Sequence, residues 1–181
     1  MRVIGGLLRA RRFSVPKNFP SRPTTDFAKE GLFNILDHQI DLLDMEILDL
    51  CAGTGNISFE FLSREAGNVT AVDLNTNCVR FIRKIAAQLG IEDNLDTIKS
   101  DIISYIGKID RKFDLIFADP PYDVKFHAEI AEIVFERSLL TENGLLIIEH
   151  GKFTDLSQIT NFEFLRNYGN VNFSFFRIQK D

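Results

Sequence analysis

From about residue 46 onward, short apolar runs alternate with longer stretches of helical periodicity, and this rhythm constrains the fold more than any other feature. Ile47, Leu48, Asp49 and Leu50 read as a first strand, followed by a glycine turn and a helical segment over 57–64. Val69, Thr70, Ala71, Val72 and Asp73 form a second apolar run, leading into a helix over roughly 75–89. A weaker strand lies near 96–100. Phe113–Ala118 is a clear fourth strand with a helix around 126–136 behind it, and 144–149 is a fifth. Strands joined by crossover helices call for a mostly parallel sheet covered on both faces. The tail changes the pattern. Phe162–Tyr168 and 171–178 are strand-like runs separated only by Gly169 and Asn170, a hairpin signal. The expected architecture is therefore α/β, doubly wound and Rossmann-like, with a mostly parallel sheet ending in an antiparallel hairpin.

A chain of 181 residues with 45% apolar and 26% charged side chains suits one soluble domain with a real core. No apolar run approaches the roughly 20 residues of a membrane helix. The N-terminus lacks the apolar centre of a signal peptide, so a cytoplasmic location is expected. Two cysteines, Cys51 and Cys78, fit a reducing compartment, and with three scattered histidines they show no metal-site spacing. No metal is expected.

Charge is unevenly spread. Residues 1–22 carry Arg2, Arg9, Arg11, Arg12, Lys17 and Arg22 without a single acid; at a net −5 overall, the remainder is −11. This reads as an extended or hairpin-like basic arm (1–22) on an acidic domain (23–181). Such an arm suits phosphate contacts; an exposed tail kept soluble by its arginines is the plainer reading. Arg22-Pro23-Thr24-Thr25-Asp26 then opens a helix, with Thr24 or Thr25 as cap and Asp26 favourable to the helix dipole.

Three motifs carry chemistry, all at carboxyl ends of strands, where ligands bind in such sheets. Asp49-Leu50-Cys51-Ala52-Gly53-Thr54-Gly55 follows the first strand, and its glycines let backbone approach a ligand closely. Ser58 occupies the place of the third small residue of a dinucleotide fingerprint, the preceding Asp49 is no part of that fingerprint, and there is no Gly-Lys-Ser/Thr of a P-loop. Asp73 ends the second strand, where an acid can accept the hydroxyls of a ribose. Asp119-Pro120-Pro121-Tyr122 follows the fourth strand, its prolines forcing an extended backbone. An exocyclic base amine is a poor nucleophile, because its lone pair is delocalised into the ring. To attack an activated methyl it needs acceptors for its hydrogens and an in-line orientation. Asp119 and the Pro120 carbonyl can be those acceptors, and Tyr122 offers a ring for the base to stack on.

The Asp49–Gly55 segment together with Asp119-Pro120-Pro121-Tyr122 resembles the class I methyltransferases that use S-adenosyl-L-methionine (AdoMet) and act on amino groups. With Arg2-Val-Ile-Gly-Gly, the Arg9–Arg12 run, Arg22-Pro-Thr-Thr-Asp-Phe-Ala-Lys-Glu-Gly-Leu-Phe-Asn-Ile-Leu and the closing Tyr168-Gly169, the chain resembles the RsmD family from end to end. The resemblance implies methylation of a guanine exocyclic amine in bacterial small-subunit (16S) ribosomal RNA, within a small-subunit particle. It also implies that Asp49, Gly53 and Gly55 line the methionine end of AdoMet, Asp73 holds the ribose, and Asp101 holds the adenine amine. Leu74 and Ile102 belong to the same set of implied cofactor contacts. Asp119, Pro120, Pro121 and Tyr122 would handle the base; Arg2, Arg9, Arg11, Arg12, Arg22, Thr24, Thr25 and Asp26 would face the RNA. Cys51 stands where the family usually has an aromatic residue and Asp73 where it often has Glu, departures that bear on cofactor affinity.

Other acceptors suit the same tetrapeptide: an adenine amine in DNA or a glutamine amide in a protein. A non-catalytic AdoMet-binding RNA or assembly factor is a reading of another class. Cys51 is expected to be a small packing residue, His127 a surface residue of a helix, and the Phe-rich tail part of the core.

Overall fold

The computed structural model describes residues 1–20, 24–121 and 126–178. Its strands are β1 (Glu46–Leu50), β2 (Asn68–Asp73), β3 (Leu95–Lys99), β4 (Phe113–Ala118), β5 (Leu140–Gly151), β6 (Phe162–Tyr168) and β7 (Val171–Arg177). The helices are α1 (Asp26–Gln39), α2 (Asn56–Ser63), α3 (Thr76–Leu89), α4 (Ile102–Ile106) and α5 (His127–Glu136). All strands join one sheet in the order β3-β2-β1-β4-β5-β7-β6. The first five run parallel, and β7 inserts antiparallel between β5 and the edge strand β6.

The chain winds outward from β1 through β2 to β3, then returns to β4 on the other side of β1. Strand order therefore reverses between β1 and β4, and the loops leaving these two strands diverge to open a crevice. Alternation along the strands sorts the core into two layers. Ile47, Ala71, Phe117, Ile147, Phe173 and Phe175 pack with α1, α2 and α3; Leu48, Leu50, Ile116, Ile148 and Phe176 pack with α4 and α5. Because both faces are covered, β7 is buried at five consecutive positions instead of every second one. Phe162 and Phe164, on the edge strand, are only half-buried. The tail is thus core in β7 and rim in β6. The sequence pattern did not indicate α4, whose single turn and a half is too short for a periodic signal.

Residues 1–13 form a tight hairpin. Arg2 bridges Arg12 in antiparallel fashion, and Val3 and Ala10 exchange backbone bonds with Arg11 and Val3 carbonyls at 3.0 Å. The hairpin is clamped to the domain by a buried ion pair. Lys29 of α1, wholly inaccessible to solvent, lies 3.2 Å from Glu60 of α2 and also donates to the Arg2 carbonyl at 2.6 Å and Asn56 Oδ1 at 2.9 Å. Glu60 in turn accepts the backbone amides of Ile4 (2.9 Å) and Gly5 (2.8 Å) and the Arg64 guanidinium (3.2 Å). Gly6, at φ +69°, passes so close to the Ser63 carbonyl that a Cβ there would sit 1.7 Å from it. Residues 1–13 are thus docked as a hairpin, one of the two forms expected, with Arg9, Arg11 and Arg12 left exposed. The expected boundary at 22/23 lies outside the described residues.

His127 departs from expectation. It opens α5 with its ring turned inward, 2% exposed, edge-on to the buried His150 at a centroid separation of 6.3 Å. A histidine at the first turn of a helix carries no sequence mark of which face it takes. Among the described residues no helix is long and apolar enough to cross a membrane, and no group of three or more His, Cys, Asp or Glu is arranged to hold a metal ion.

Glu60→Ala leaves the Lys29 ammonium buried without its carboxylate and the Ile4 and Gly5 amides without acceptors. The expected loss is about 3–5 kcal/mol of stability, the range for breaking one side of a buried pair, and urea denaturation measures it. A loss below ~1 kcal/mol would mean that the hairpin is not held by this clamp.

Candidate active site

The loop leaving β1 turns sharply: Cys51, Gly53 and Gly55 all have positive φ, at 62°, 54° and 73°. For Cys51 that is uncommon in a residue with a side chain, and such strain collects where a backbone must serve a site. The Ala52 amide bonds the Val72 carbonyl at 3.0 Å, and the Gly55 amide bonds Ala52 at 2.7 Å. Gly55 opens α2; a Cβ there would come 2.8 Å from the Phe59 ring and 3.0 Å from Ile82.

Asp73 is held by two backbone amides. Gly53 donates to its Oδ2 at 2.8 Å and Asn75 to its Oδ1 at 2.7 Å, and each oxygen keeps a second lone pair for a ligand hydroxyl. The next residue, Leu74, is an apolar side chain left 64% exposed. The Ser100 amide bonds the Asp73 carbonyl at 3.2 Å, bringing the end of β3 alongside. There Asp101 caps α4 through the Ser104 amide at 2.8 Å, leaving its second oxygen uncommitted to the cap, and Ile102 is buried. Gly53, Gly55, Asp73, Leu74, Asp101 and Ile102 thus gather along one stretch of the sheet's carboxyl edge. Burial and the neighbouring Asp73 push the Cys78 thiol up to about 12, and burial with the surrounding acids raises the Cys51 thiol as well. Neither is a nucleophile in this setting, in keeping with the packing role expected of Cys51.

Three carboxylates share the face that α1 and α2 cover. Asp49 alternates with Ile47 on β1, Asp119 follows Phe117, and Glu149 follows Ile147 on β5. Asp49 pairs in register with Phe117, and the β4–β5 ladder ends at Ala118 and Ile148, one residue before Asp119 and Glu149, whose charges act on each other. Asp49 is buried and accepts a short hydrogen bond from Ser58 Oγ, tying the strand end to the first turn of α2. Burial pushes its carboxyl up to about 7 against the opposing Ser58 bond. Asp119 is raised well above the carboxylate range by burial first and then by Glu149 and Asp49. The Asp119 amide bonds the Leu50 carbonyl at 3.1 Å, which sets the start of the loop; Pro120 is buried and Pro121 exposed. Tyr122 lies outside the described residues.

The residues expected to face RNA separate. Arg9, Arg11 and Arg12 are exposed on the hairpin. Arg2 is occupied by Asp26 at 3.2 Å and Glu30 at 3.0 Å. Thr25 caps α1 through the Ala28 amide at 3.2 Å. Thr24 turns into the crevice, where its hydroxyl donates to Glu149 at 3.3 Å. Arg22 lies outside the described residues. Sequence reasoning missed Glu149, Ser58 and Asn75. Glu149 had a signal, an acid closing an apolar strand just as Asp49 and Asp73 do; the other two depend on tertiary contacts.

A crevice at the β1/β4 switch point, with a glycine loop, an amide-held acid for a diol and an exposed leucine beside it, suits a nucleoside. The carboxylates of Asp49, Asp119 and Glu149 suit a cation next to that nucleoside, and a sulfonium nucleoside satisfies both requirements. Fold and site together define an AdoMet-dependent methyltransferase. A family model described as Conserved hypothetical protein 95 matches residues 1–177. The chain belongs to this family, the RsmD family that its motifs resemble. Among its relatives are the ribosomal RNA small subunit methyltransferases D of Haemophilus influenzae, 30% identical over 92% of this chain and 86% of that one, and of Escherichia coli K12, 30% identical over 82% and 74%. The solved structure of Escherichia coli yhhF is 26% identical, covers 99% of both chains and superposes with a TM-score of 0.84.

Asp49 provides a pH test. With its folded carboxyl raised to about 7, the protein holds a proton that the unfolded chain releases near 4. Its contribution to stability is full below that lower value and is lost as pH rises through 7. Asp49→Asn should therefore flatten the fall in urea stability between pH 5 and pH 8, leaving the part due to Asp119. An undiminished fall would remove Asp49 as its source.

Proposed function

We propose that this protein methylates the exocyclic 2-amino group of a guanine in small-subunit ribosomal RNA, using AdoMet, in the cytoplasm and on a small-subunit particle. The observation that carries the reading is the placement of Asp119-Pro120-Pro121 directly beside the glycine loop, across the switch point. The names of the relatives support ribosomal RNA as the acceptor. When bound, AdoMet supplies a methyl group activated by its sulfonium.

Gly53, Gly55 and Asp49 shape the methionine end of the cofactor site, Asp73 accepts the ribose hydroxyls, and Leu74, Asp101 and Ile102 receive the adenine. Asp119 accepts one hydrogen of the guanine amine and the Pro120 carbonyl the other, which turns the nitrogen lone pair toward the methyl. Tyr122 stacks on the extruded base. The bound cofactor would supply the methyl and depart as the neutral thioether, and an ionised Asp119 would take up the proton that the substrate nitrogen sheds. A carboxyl raised by burial is suited to that proton. Arg9, Arg11 and Arg12 contact phosphates from the docked hairpin, which acts as a fixed basic edge beside the crevice.

The direct test supplies methyl-labelled AdoMet and small ribosomal subunits lacking their native methylations, followed by digestion to nucleosides. Label in guanosine methylated on its exocyclic amine is expected; label only in DNA adenine or a protein amide would replace the acceptor. Asp119→Ala should keep AdoMet affinity within a few-fold and lower kcat by ~10²-fold or more; unchanged turnover would sink the mechanism.

The arm is tested by charge instead of deletion, because removing residues 1–22 would strip the partners from Lys29 and Glu60. Replacing Arg9, Arg11 and Arg12 together by Ala should weaken RNA binding and reduce the salt slope by about 2, at roughly 0.7 per single-strand phosphate. AdoMet affinity should hold. An unaltered slope would place the RNA elsewhere.

A further inference from the structure

Helix α1 leaves the crevice with an open side. Phe27, in its first turn and just beyond Thr24, is an aromatic ring left 67% exposed. Its neighbour is Tyr168 at the end of β6, edge-on at 80° with ring centroids 5.7 Å apart. That contact takes up at most one face of either ring, and the exposure of Phe27 leaves a face open to solvent. Strands β5 and β6 both run antiparallel to β7, and Tyr168 is in register with Val171 and through it with Gly151. The Phe27–Tyr168 pair therefore stands at the same carboxyl edge of the sheet as the crevice. From there a groove of about 480 Å³ runs between α1 and β6 as far as His38 and Gln39. Its floor is firm, because Tyr168 lies so close to α1 that a Cβ at Gly31 would come 2.1 Å from the ring.

The charge of the groove decides what it can take. Among the described residues, the one acid lining it is Glu30, already matched by Arg2 at 3.0 Å. Arg166, on the same face of β6 as Tyr168, forms no ion pair among the described residues. It donates to the Leu165 carbonyl at 3.0 Å and lies 4.5 Å from the centroid of the Phe164 ring. The groove thus holds an uncompensated cation, an open aromatic face, and the exposed amides of Asn34 and Gln39 further along the helix. These are the parts of a nucleotide site: a ring for a base, a cation for phosphate and amides for base edges. The loop after β5 repeats the pairing of ring and cation, with Phe153 93% exposed and the Lys152 ammonium 4.9 Å from its centroid. An added β-strand fits the groove less well. The edge carries Glu163 and Arg166, and the β6–β7 register shifts between Phe162 and Phe164, features that discourage further pairing.

We propose that the groove between α1 and β6 is a subsite for single-stranded RNA, in which a nucleotide flanking the target base stacks on Phe27 while Arg166 holds its phosphate. This deepens the proposed function and rests on it for the identity of the RNA. A base drawn out of its stack leaves its neighbours unsupported, and a protein ring beside the crevice replaces that support. Stacking tolerates any base, so the subsite positions the strand and leaves selection to the target pocket. The hairpin meets α1 through the same Glu30 that lines the groove, so the basic hairpin and the groove flank one helix and grip the strand from both sides.

The test measures binding instead of turnover, by fluorescence anisotropy with a labelled single-stranded RNA of about ten nucleotides and by competition with small ribosomal subunits lacking their native methylations. Phe27→Leu, which keeps an apolar side chain but no ring, should weaken the Kd for RNA about 10-fold without altering its salt slope, and Phe27→Trp should keep it near wild type. Arg166→Gln should weaken binding and lower the salt slope by about 0.7, the share of one single-strand phosphate. AdoMet affinity checks that each variant is folded and should hold in all three. An RNA affinity that ignores either Phe27→Leu or Arg166→Gln would overturn the proposal. If sedimentation then shows these variants losing a dimer that the wild type forms, the groove belongs to a second copy of the chain. If the wild type binds RNA through these residues yet methylates no guanine, the functional reading fails alone and the subsite stands.

Discussion

The Lys29 ammonium is the point through which much of the structure is tied together. It has no access to water, and burial lowers its affinity for a proton while the Glu60 carboxylate beside it opposes that shift. A buried cation is tolerated only when its donors are satisfied, and its partners come from the hairpin and from two turns of α2. One is the Arg2 carbonyl of the hairpin, one is Glu60 in the middle of α2, and one is Asn56 at the start of α2. Asn56 passes the constraint to Thr24, and Thr24 to Glu149 at the mouth of the crevice. The hairpin and Glu149 are thereby joined by consecutive hydrogen bonds.

That continuity matters because the crevice works against its own stability. Asp49, Asp119 and Glu149 crowd one face of the sheet, and the direction in which burial drives Asp49 and Asp119 means that folding is made harder as they ionise. Carboxyl groups crowded in this way need their surroundings to hold them in place. The Ser58 bond to Asp49, the two amides on Asp73 and the Thr24 bond to Glu149 are that support.

Much of this was legible in the sequence, for identifiable reasons. Strand–helix alternation fixed the class of fold, and the Gly169-Asn170 turn located the closing hairpin, because both signals are local and periodic. Asp49, Asp73 and Asp119 could be placed on one edge since each ends an apolar strand. Glu149 lies two residues before the end of β5, and the contact that draws it into the crevice comes from Thr24, 125 residues away in the chain. Nothing in the local sequence marks Lys29 and Glu60 as buried, because burial of a charged side chain depends on partners from distant segments. His127 went astray for the same reason. Arg2, grouped by sequence with the basic arm, is spent on Asp26 and Glu30, and the local pattern could not distinguish it from Arg9, Arg11 and Arg12.

The charge asymmetry of the chain acquires a physical meaning once the hairpin is seen to be docked. A body of net −11 repels a polyanion from most directions. A flexible basic tail would offset this by wandering toward phosphate, at the cost of ordering it on every encounter. On the proposed reading, a basic hairpin fastened to α1 and α2 has already met that cost in folding. The exposed Arg9, Arg11 and Arg12 would then give nucleic acid one favourable direction of approach, and the acidic remainder would turn it away elsewhere.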